Sequence, residues 1–429
     1  VKRTLALVLL VAASACSGAP ARVRGAADRG DVTAALRLYA EYVDERGDND
    51  PDLLSDVALA VLREAASSDD PRVRSAGFSS LRGLGAHAHD VLEPLSVRPG
   101  VVGDRAAAIL YELDGRAGAP PSRLRAALAT DDPERRVAGL VALRGRAGLR
   151  RLVRRARDPD VALRVAVVRE LSRRRGEAAA TQALIERARE DADAMVRAAA
   201  VMALGGHGRE AFEALRAALT EGDAIVRMAA PAALMAASPD DGATALAPLL
   251  TPEFTNLSIE VARVLAARHD ERAARYVVDA LHHARAALRP QAAVAAQALG
   301  EQHAAGLAAF LRDADPEVSI RVAAILVRRD GLRAEAFEAL RPLAARPDGF
   351  VAVRALGVLA GAGDAWARGP IREAFQSSDA NVRRLAVIAW PQAIGPQSGD
   401  CGPLAPLLRD PDRSVALLAA MEIVLIAAR

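Results

Sequence analysis

The sequence predicts an all-α fold, a right-handed α-solenoid of about twelve helical hairpins, and three observations predict it. A unit of about 31 residues recurs from near Asp70 to Arg429, and internal repetition fixes an architecture before any local reading does. Each copy opens on helix-start chemistry, an Asp and often a Pro ahead of an Ala-rich apolar run. Hydrophobic residues make up 52% of the chain but aromatics only 3%, so the core is built from Ala, Leu and Val between close-packed helices rather than from rings.

Taken in chain order, residues 1–15 form a signal peptide. Lys2 and Arg3 give a positive start, Thr4 to Ala13 is almost wholly apolar, and Ala13-Ser14-Ala15 is a small-residue cleavage site. The run Ala13-Ser14-Ala15-Cys16 resembles a bacterial lipobox. That resemblance implies a diacylated Cys16, a membrane anchor through its lipid, and a cell-envelope address. Ser17 is not the Asp that resembles an inner-membrane retention signal, so the expected site is the outer membrane if the host has one. Residues 16–29 read as a tether. Residues 30–49 read as an N-terminal capping helix, with Leu36, Leu38, Tyr39 and Val43 on its apolar side, and residues 50–429 as the repeat array.

Within the array the start signals are physical. Asp70, Asp158, Asp223, Asp315 and Asp379 are expected as N-caps, where a carboxylate accepts hydrogen bonds from unpaired first-turn amides. Pro71, Pro159, Pro316 and Pro411 follow as expected first-turn prolines, where a missing amide costs nothing. Val196, Ala199, Ala200, Ala203 and Leu204 recur at helical spacing and give one broad apolar stripe. Shorter amphipathic helices at Arg209 to Thr220, Glu271 to Ala284 and Ala334 to Ala345 complete hairpins. Hairpins that contact only their neighbours make one quasi-linear array rather than several globular domains.

The motif in Asp70-Pro71-Arg72-Val73-Arg74 and Asp223-Ala224-Ile225-Val226-Arg227 resembles the short bacterial HEAT-like repeat, also seen in phycobilin lyases, over roughly residues 50 to 429. The resemblance implies that the Asp-to-Arg helix is the second of each pair and lines the concave face. It also implies that Arg74, Arg197, Arg227, Arg321, Arg354 and Arg383 are ladder residues joining successive repeats. Such a motif specifies fold far better than function.

Charge is informative only locally. The net charge is +3, yet residues 135 to 175 hold fourteen Arg against Asp158, Asp160 and Glu170. One short helix there buries Leu149, Leu152, Val153 and Ala156 and turns Arg150, Arg151, Arg154 and Arg155 outward, while Arg173, Arg174 and Arg175 end the next helix. These seven arginines are the candidate site for an anionic partner, because a guanidinium fork binds two oxygens at once.

Catalysis finds no support. None of the seven histidines is followed by Glu, whereas the HEAT-like iron hydroxylases present His-Glu pairs as metal ligands. His207 and His269 fall in like turns two repeats apart, and His282 and His283 lie at the other end of a helix, so no metal and no cofactor is expected. Nucleic acid is not expected either, since the chain has few aromatics for stacking. Cys401, the other cysteine, is expected at the far end of the stack from Cys16, without a disulfide. Val415 to Ala428 carries only Glu422 as a charge, so its apolar face is expected to pack on a second copy or a partner. The sequence thus points to a non-catalytic envelope scaffold or adaptor that binds proteins. The alternative is an accessory protein holding an anionic polymer or lipid headgroup on its Arg edge.

Overall fold

The computed structural model describes residues 18–115, 119–144, 148–283, 285–347 and 349–429, and all regular structure among them is helical. The signal peptide and Cys16 lie outside the described residues. The fold is the expected all-α solenoid of paired helices. The chain divides into two compact units, residues 116–343 and residues 1–115 with 344–429.

In the unit 116–343 the second helices of successive hairpins stack side by side. Val161–Leu171 packs on Ala194–Leu204, that helix on Ala224–Ala237, and that one in turn on Asn256–Ala266. Their buried faces are small and branched: Leu163 and Val167, Val196 and Ala200, Val226 and Ala230. Small side chains let backbones approach closely, which is why an Ala-rich, ring-poor sequence suits the stack. First helices such as Leu149–Arg155, Ala178–Glu190 and Phe212–Ala218 form the neighbouring row.

The helix starts follow cap chemistry, with one systematic correction. Asp70, Asp315 and Asp379 accept first-turn amides as expected, and Pro71 and Pro316 open their helices. In the Asp158-Pro159-Asp160 run, however, the cap is Asp160, whose carboxylate accepts from the Leu163 amide at 2.7 Å. Asp412 likewise caps Arg413–Ala427, so Pro159 and Pro411 sit before the cap rather than in the first turn. Asp223 stands at an N-cap position without capping, its carboxylate being drawn to Arg197 instead.

The unit built from both chain ends holds further corrections. The stretch expected as a tether is helical from Ala19 to Arg29 and buries Val23, Ala26 and Ala27. It packs on Val32–Arg46, the expected N-terminal helix, whose buried face is Val32, Ala35, Tyr39 and Tyr42. Leu36, Leu38 and Val43 are half-buried, because the face follows the i, i+3, i+7, i+10 register set by the two tyrosines. Gly77 is required where Pro71–Gly83 crosses Pro51–Ala66, since a Cβ there would stand 2.5 Å from the Ala66 nitrogen.

The terminal helix Arg413–Ala427 packs on Pro51–Ala66 as well as on Ala380–Ile394. Its apolar face, expected to await a second copy, is thereby covered from within the chain: Val415, Leu417, Ile423, Val424 and Ile426 are all buried. Each such side chain contributes about 1.5–3 kcal/mol relative to exposure, which is reason enough for the ends to meet. The same packing brings Cys401 to the N-terminal helices rather than to a distant end. It is buried, and Gly402 beside it closes on Asn49 so tightly that a side chain there would collide. No described helix is long and apolar enough to cross a membrane.

Candidate functional site

Two sets of side chains recur along the second helices of this solenoid, a ladder of arginines and a set of exposed apolar residues. At one recurring position of the second helices, an Arg reaches back to the carbonyl six residues earlier. Arg74 donates to Ser68 O at 2.7 Å, Arg164 to Asp158 O at 2.9 Å, Arg197 to Asp191 O at 2.8 Å, and Arg383 to Ser377 O at 2.8 Å. Arg136 and Arg227 make the same hook. Each thus pins the loop that enters its own helix.

The rest of the guanidinium reaches forward to the next repeat. Arg164 clamps Asp191 through Nε and Nη2, both at 2.9 Å, and Arg383 clamps Asp410 at 2.7 Å through both nitrogens. The receiving Asp opens an Asp-x-Asp pair: its carboxylate also accepts the amide of the second Asp, as Asp191 does from Asp193 at 3.1 Å and Asp410 from Asp412 at 2.8 Å. Burial opposes ionisation of Asp191, but the bonds from Arg164, the Asp193 amide and Arg187 outweigh it and hold the carboxyl below its usual range. Arg164 and Arg383 are correspondingly raised by their carboxylate bonds.

Arg321 and Arg354 depart from the expected ladder. They lie two places further along their helices, while the hook position holds Ser319, whose Oγ donates to Asp313 O at 3.3 Å, and Ala352. Arg321 pairs with Glu317 of its own helix, and Arg354 lies over the Phe350 ring at 5.8 Å; burial lowers both guanidinium groups.

The expected anion edge divides along the same lines. Arg155 donates to Leu128 O at 2.7 Å and to Asp158 at 3.1 Å, tying its helix to the preceding hairpin. Arg173 donates to Glu170 at 2.5 Å, and Arg174 to the Leu143 and Arg144 carbonyls at 2.9 and 2.5 Å. Glu170 is also held by Arg144; burial opposes its ionisation, and the two guanidinium groups outweigh it, leaving its carboxyl lowered. Arg175 lies across Gly206, where a Cβ would come within 2.9 Å of its Nε. Arg150, Arg151 and Arg154 are exposed and carry no side-chain bond or ion pair among the described residues.

His207 is buried with Nδ1 2.9 Å from Thr181 Oγ1, and burial lowers its pKa. Burial also pushes the Cys401 thiol up to about 11, so it is protonated at neutral pH. Among the described residues no group of three His, Cys, Asp or Glu side chains is placed to hold a metal ion.

The second set was missed in the sequence. On the solvent side of the stacked second helices, Met195 is 58% exposed, Met202 68% and Ile225 44%. Met195 and Ile225 each precede the Val-Arg pair of their repeats, so they occupy one position in adjacent helices, and Met202 lies two turns beyond Met195. Phe350 and Ile388 are exposed likewise in the other unit. The available signal was methionine placement: four of the five Met, Met195, Met202, Met228 and Met235, fall on two neighbouring helices.

Fold and site together define an α-solenoid of short helical-hairpin repeats. A model of the HEAT-repeat family matches residues 121–205 and 181–253. No curated protein matches the sequence. Among solved structures, the YibA protein of Escherichia coli is 18% identical, with 56% of this chain and 91% of that one covered at a TM-score of 0.35. The complex of CpcE and CpcF of phycocyanin lyase from Nostoc sp. PCC7120 is 20% identical, covering 64% and 94% at 0.30. Human deoxyhypusine hydroxylase is 18% identical, covering 68% and 99% at 0.27.

Proposed function

We propose that this chain is a non-catalytic scaffold or adaptor that binds other proteins through its solenoid surface, held in the cell envelope by lipid on Cys16. The observation that carries the binding role is the exposed apolar row on the second helices, Met195, Met202 and Ile225 in one unit and Phe350 and Ile388 in the other. Large apolar side chains left in water at repeated positions mark an interaction surface more than a folding requirement. Methionine suits such a surface because its flexible thioether adapts to a partner's shape. The anchoring role is supported by residues 1–16 alone, the positive start, apolar run and small residues before Cys16.

The binding role is tested with a photoreactive residue placed at Met202, Phe350 or Ile388 and irradiated in native cells. Protein adducts at these positions, absent at exposed Arg150 on a first helix, are the expected result; adducts at none would end this reading. Anchoring is tested by detergent partition: Cys16→Ser should leave the detergent phase, and recovery of unmodified mature protein in the aqueous phase would remove the lipid from the proposal. The second reading, an anionic polymer or lipid headgroup, is favoured by one observation, the exposed Arg150, Arg151 and Arg154, which pair with no side chain among the described residues. It requires a steep fall in binding with salt.

A further inference from the structure

The partner of one of these faces has a definable chemistry. Val161–Leu171, Ala194–Leu204 and Ala224–Ala237 stack in that order, and the last two lie near register, since a Cβ on Gly205, three places past Met202, would stand 3.0 Å from the Cα of Ala233, one place past Ala232. Near their C-terminal ends one row reads Arg169, Met202, Ala232, and all three are exposed. Near their N-terminal ends the matching row reads Ala162, Met195, Ile225, again all exposed. Packed helices lie about 8–10 Å apart. Seven residues of an α-helix rise about 10.5 Å. A helix laid across the stack along one row therefore meets successive members of that row with side chains about seven positions apart, the spacing used by amphipathic helices that dock in grooves.

Charge selects among such helices. Arg169 and Arg175 carry no ion pair among the described residues, and Arg175 lies over Gly206, just past the end of the Met202 helix. At the opposite ends of the same helices stand carboxylates, with Asp193 capping and Glu221 and Asp223 beside Arg197. An anionic bilayer large enough to cover the face would meet both ends and be repelled by one. A single helix crossing at the Met202 level meets Arg169 and Arg175 on the Val161–Leu171 side, while on the other side, past Ala237, stand Asp240 and Asp241, the latter paired with Arg209. Ala232 leaves room for a bulky side chain, Met202 offers an adaptable apolar contact, and Arg169 asks for a carboxylate.

The geometry points to this face as the docking site for an amphipathic helix of a partner protein, one with an apolar stripe and an acidic residue about seven positions from its apolar anchor. This rests on the scaffold reading above and narrows it to one partner chemistry.

Two labelled model peptides test it on the full chain by fluorescence anisotropy. Both are amphipathic helices with one leucine stripe; one carries Glu beside the stripe and the other carries Lys at the same places. The Glu peptide should bind at least tenfold more tightly. Met202→Glu should reduce that binding tenfold or more, and Met202→Leu should preserve it, since the site is exposed and neither change touches the core. Arg169→Glu should reverse the preference between the peptides. Equal binding of the two peptides, or binding indifferent to both Met202→Glu and Arg169→Glu, overturns the proposal. So does Met202-dependent binding to vesicles of anionic phospholipid with neither peptide bound, which would make the face a membrane contact. The two readings fail separately. Cellular adducts without peptide selectivity leave the scaffold standing and remove this partner, whereas absence of adducts at every position removes the scaffold itself.

Discussion

Arg164 grips Asp191 of the following repeat through two nitrogens at 2.9 Å while its remaining nitrogen holds the carbonyl of Asp158. One side chain thus fixes the loop before its own helix and the loop before the next. A planar guanidinium alone has the donor geometry for this, so Lys at the position would keep the charge and lose the clamp. Asp191 is the buried partner, and removing it strands a cation. Asp191→Asn should cost about 3 kcal/mol in denaturant melts, the usual scale for breaking a buried pair from one side. A cost near zero would mean that the clamp is incidental to stability.

Acid should act through the same groups. Asp191 and Glu170 are held below their usual ranges by their arginines, so each gives stability that is complete above its unfolded value, near 3.9 for Asp and 4.3 for Glu, and is lost as pH falls through the lower folded value. Glu422 has the opposite sign. Burial raises its carboxyl, and Arg429 offsets this only in part. Its ionisation therefore opposes folding above the raised value, and the penalty disappears below the unfolded one. Glu422→Gln should raise the melting temperature at pH 7 and leave it unchanged near pH 4. An equal rise at both values would point to packing rather than ionisation.

Deleting residues 413–429 should damage the N-terminal helices, although they are far away in sequence. Arg413–Ala427 covers Pro51–Ala66, and Met421 lies against Gly83 at the Cβ position, 3.4 Å away. The truncated chain should expose Pro51–Ala66 to proteolysis and associate through the bared helix. Unchanged cleavage between residues 30 and 66 would show that the N-terminal helices fold without this cover.

The repeat was legible because its period, its capping Asp and its Ala-rich stripes are local signals. The arginine cluster misled for an equally physical reason. Arg144, Arg157 and Arg164 find their carboxylates in Glu170, Glu186 and Asp191, which lie 26, 29 and 27 residues further on. A charge count over residues 135 to 175 includes the cations and leaves out two of those three anions. The Asp-x-Asp pairs at 158, 191, 313 and 410 were visible as text, and the ladder would have followed from asking which Arg each first Asp receives. The meeting of Arg413–Ala427 with Pro51–Ala66 had no such trace, since a periodic sequence does not say which of its apolar faces close on each other.

The division of the arginines leads to the last prediction. Arg150, Arg151 and Arg154 are exposed on Leu149–Arg155 and bonded to nothing among the described residues, while Arg155 on the same helix holds Leu128 O and Asp158. Sequence spacing treats the four as one set. Changing Arg150, Arg151 and Arg154 to Glu should leave the melt unchanged within about 0.5 kcal/mol, as surface substitutions usually do. Arg155→Glu should lower stability clearly, because it brings a carboxylate to the Leu128 carbonyl and to the Asp158 carboxylate in place of a shared donor. Calorimetry on the triple variant and the single variant separates the two. Equal losses would return Arg155 to the surface cluster, whereas a loss confined to Arg155→Glu leaves the other three free for an anionic ligand. For these three, the fall in binding with rising salt should flatten in the triple variant.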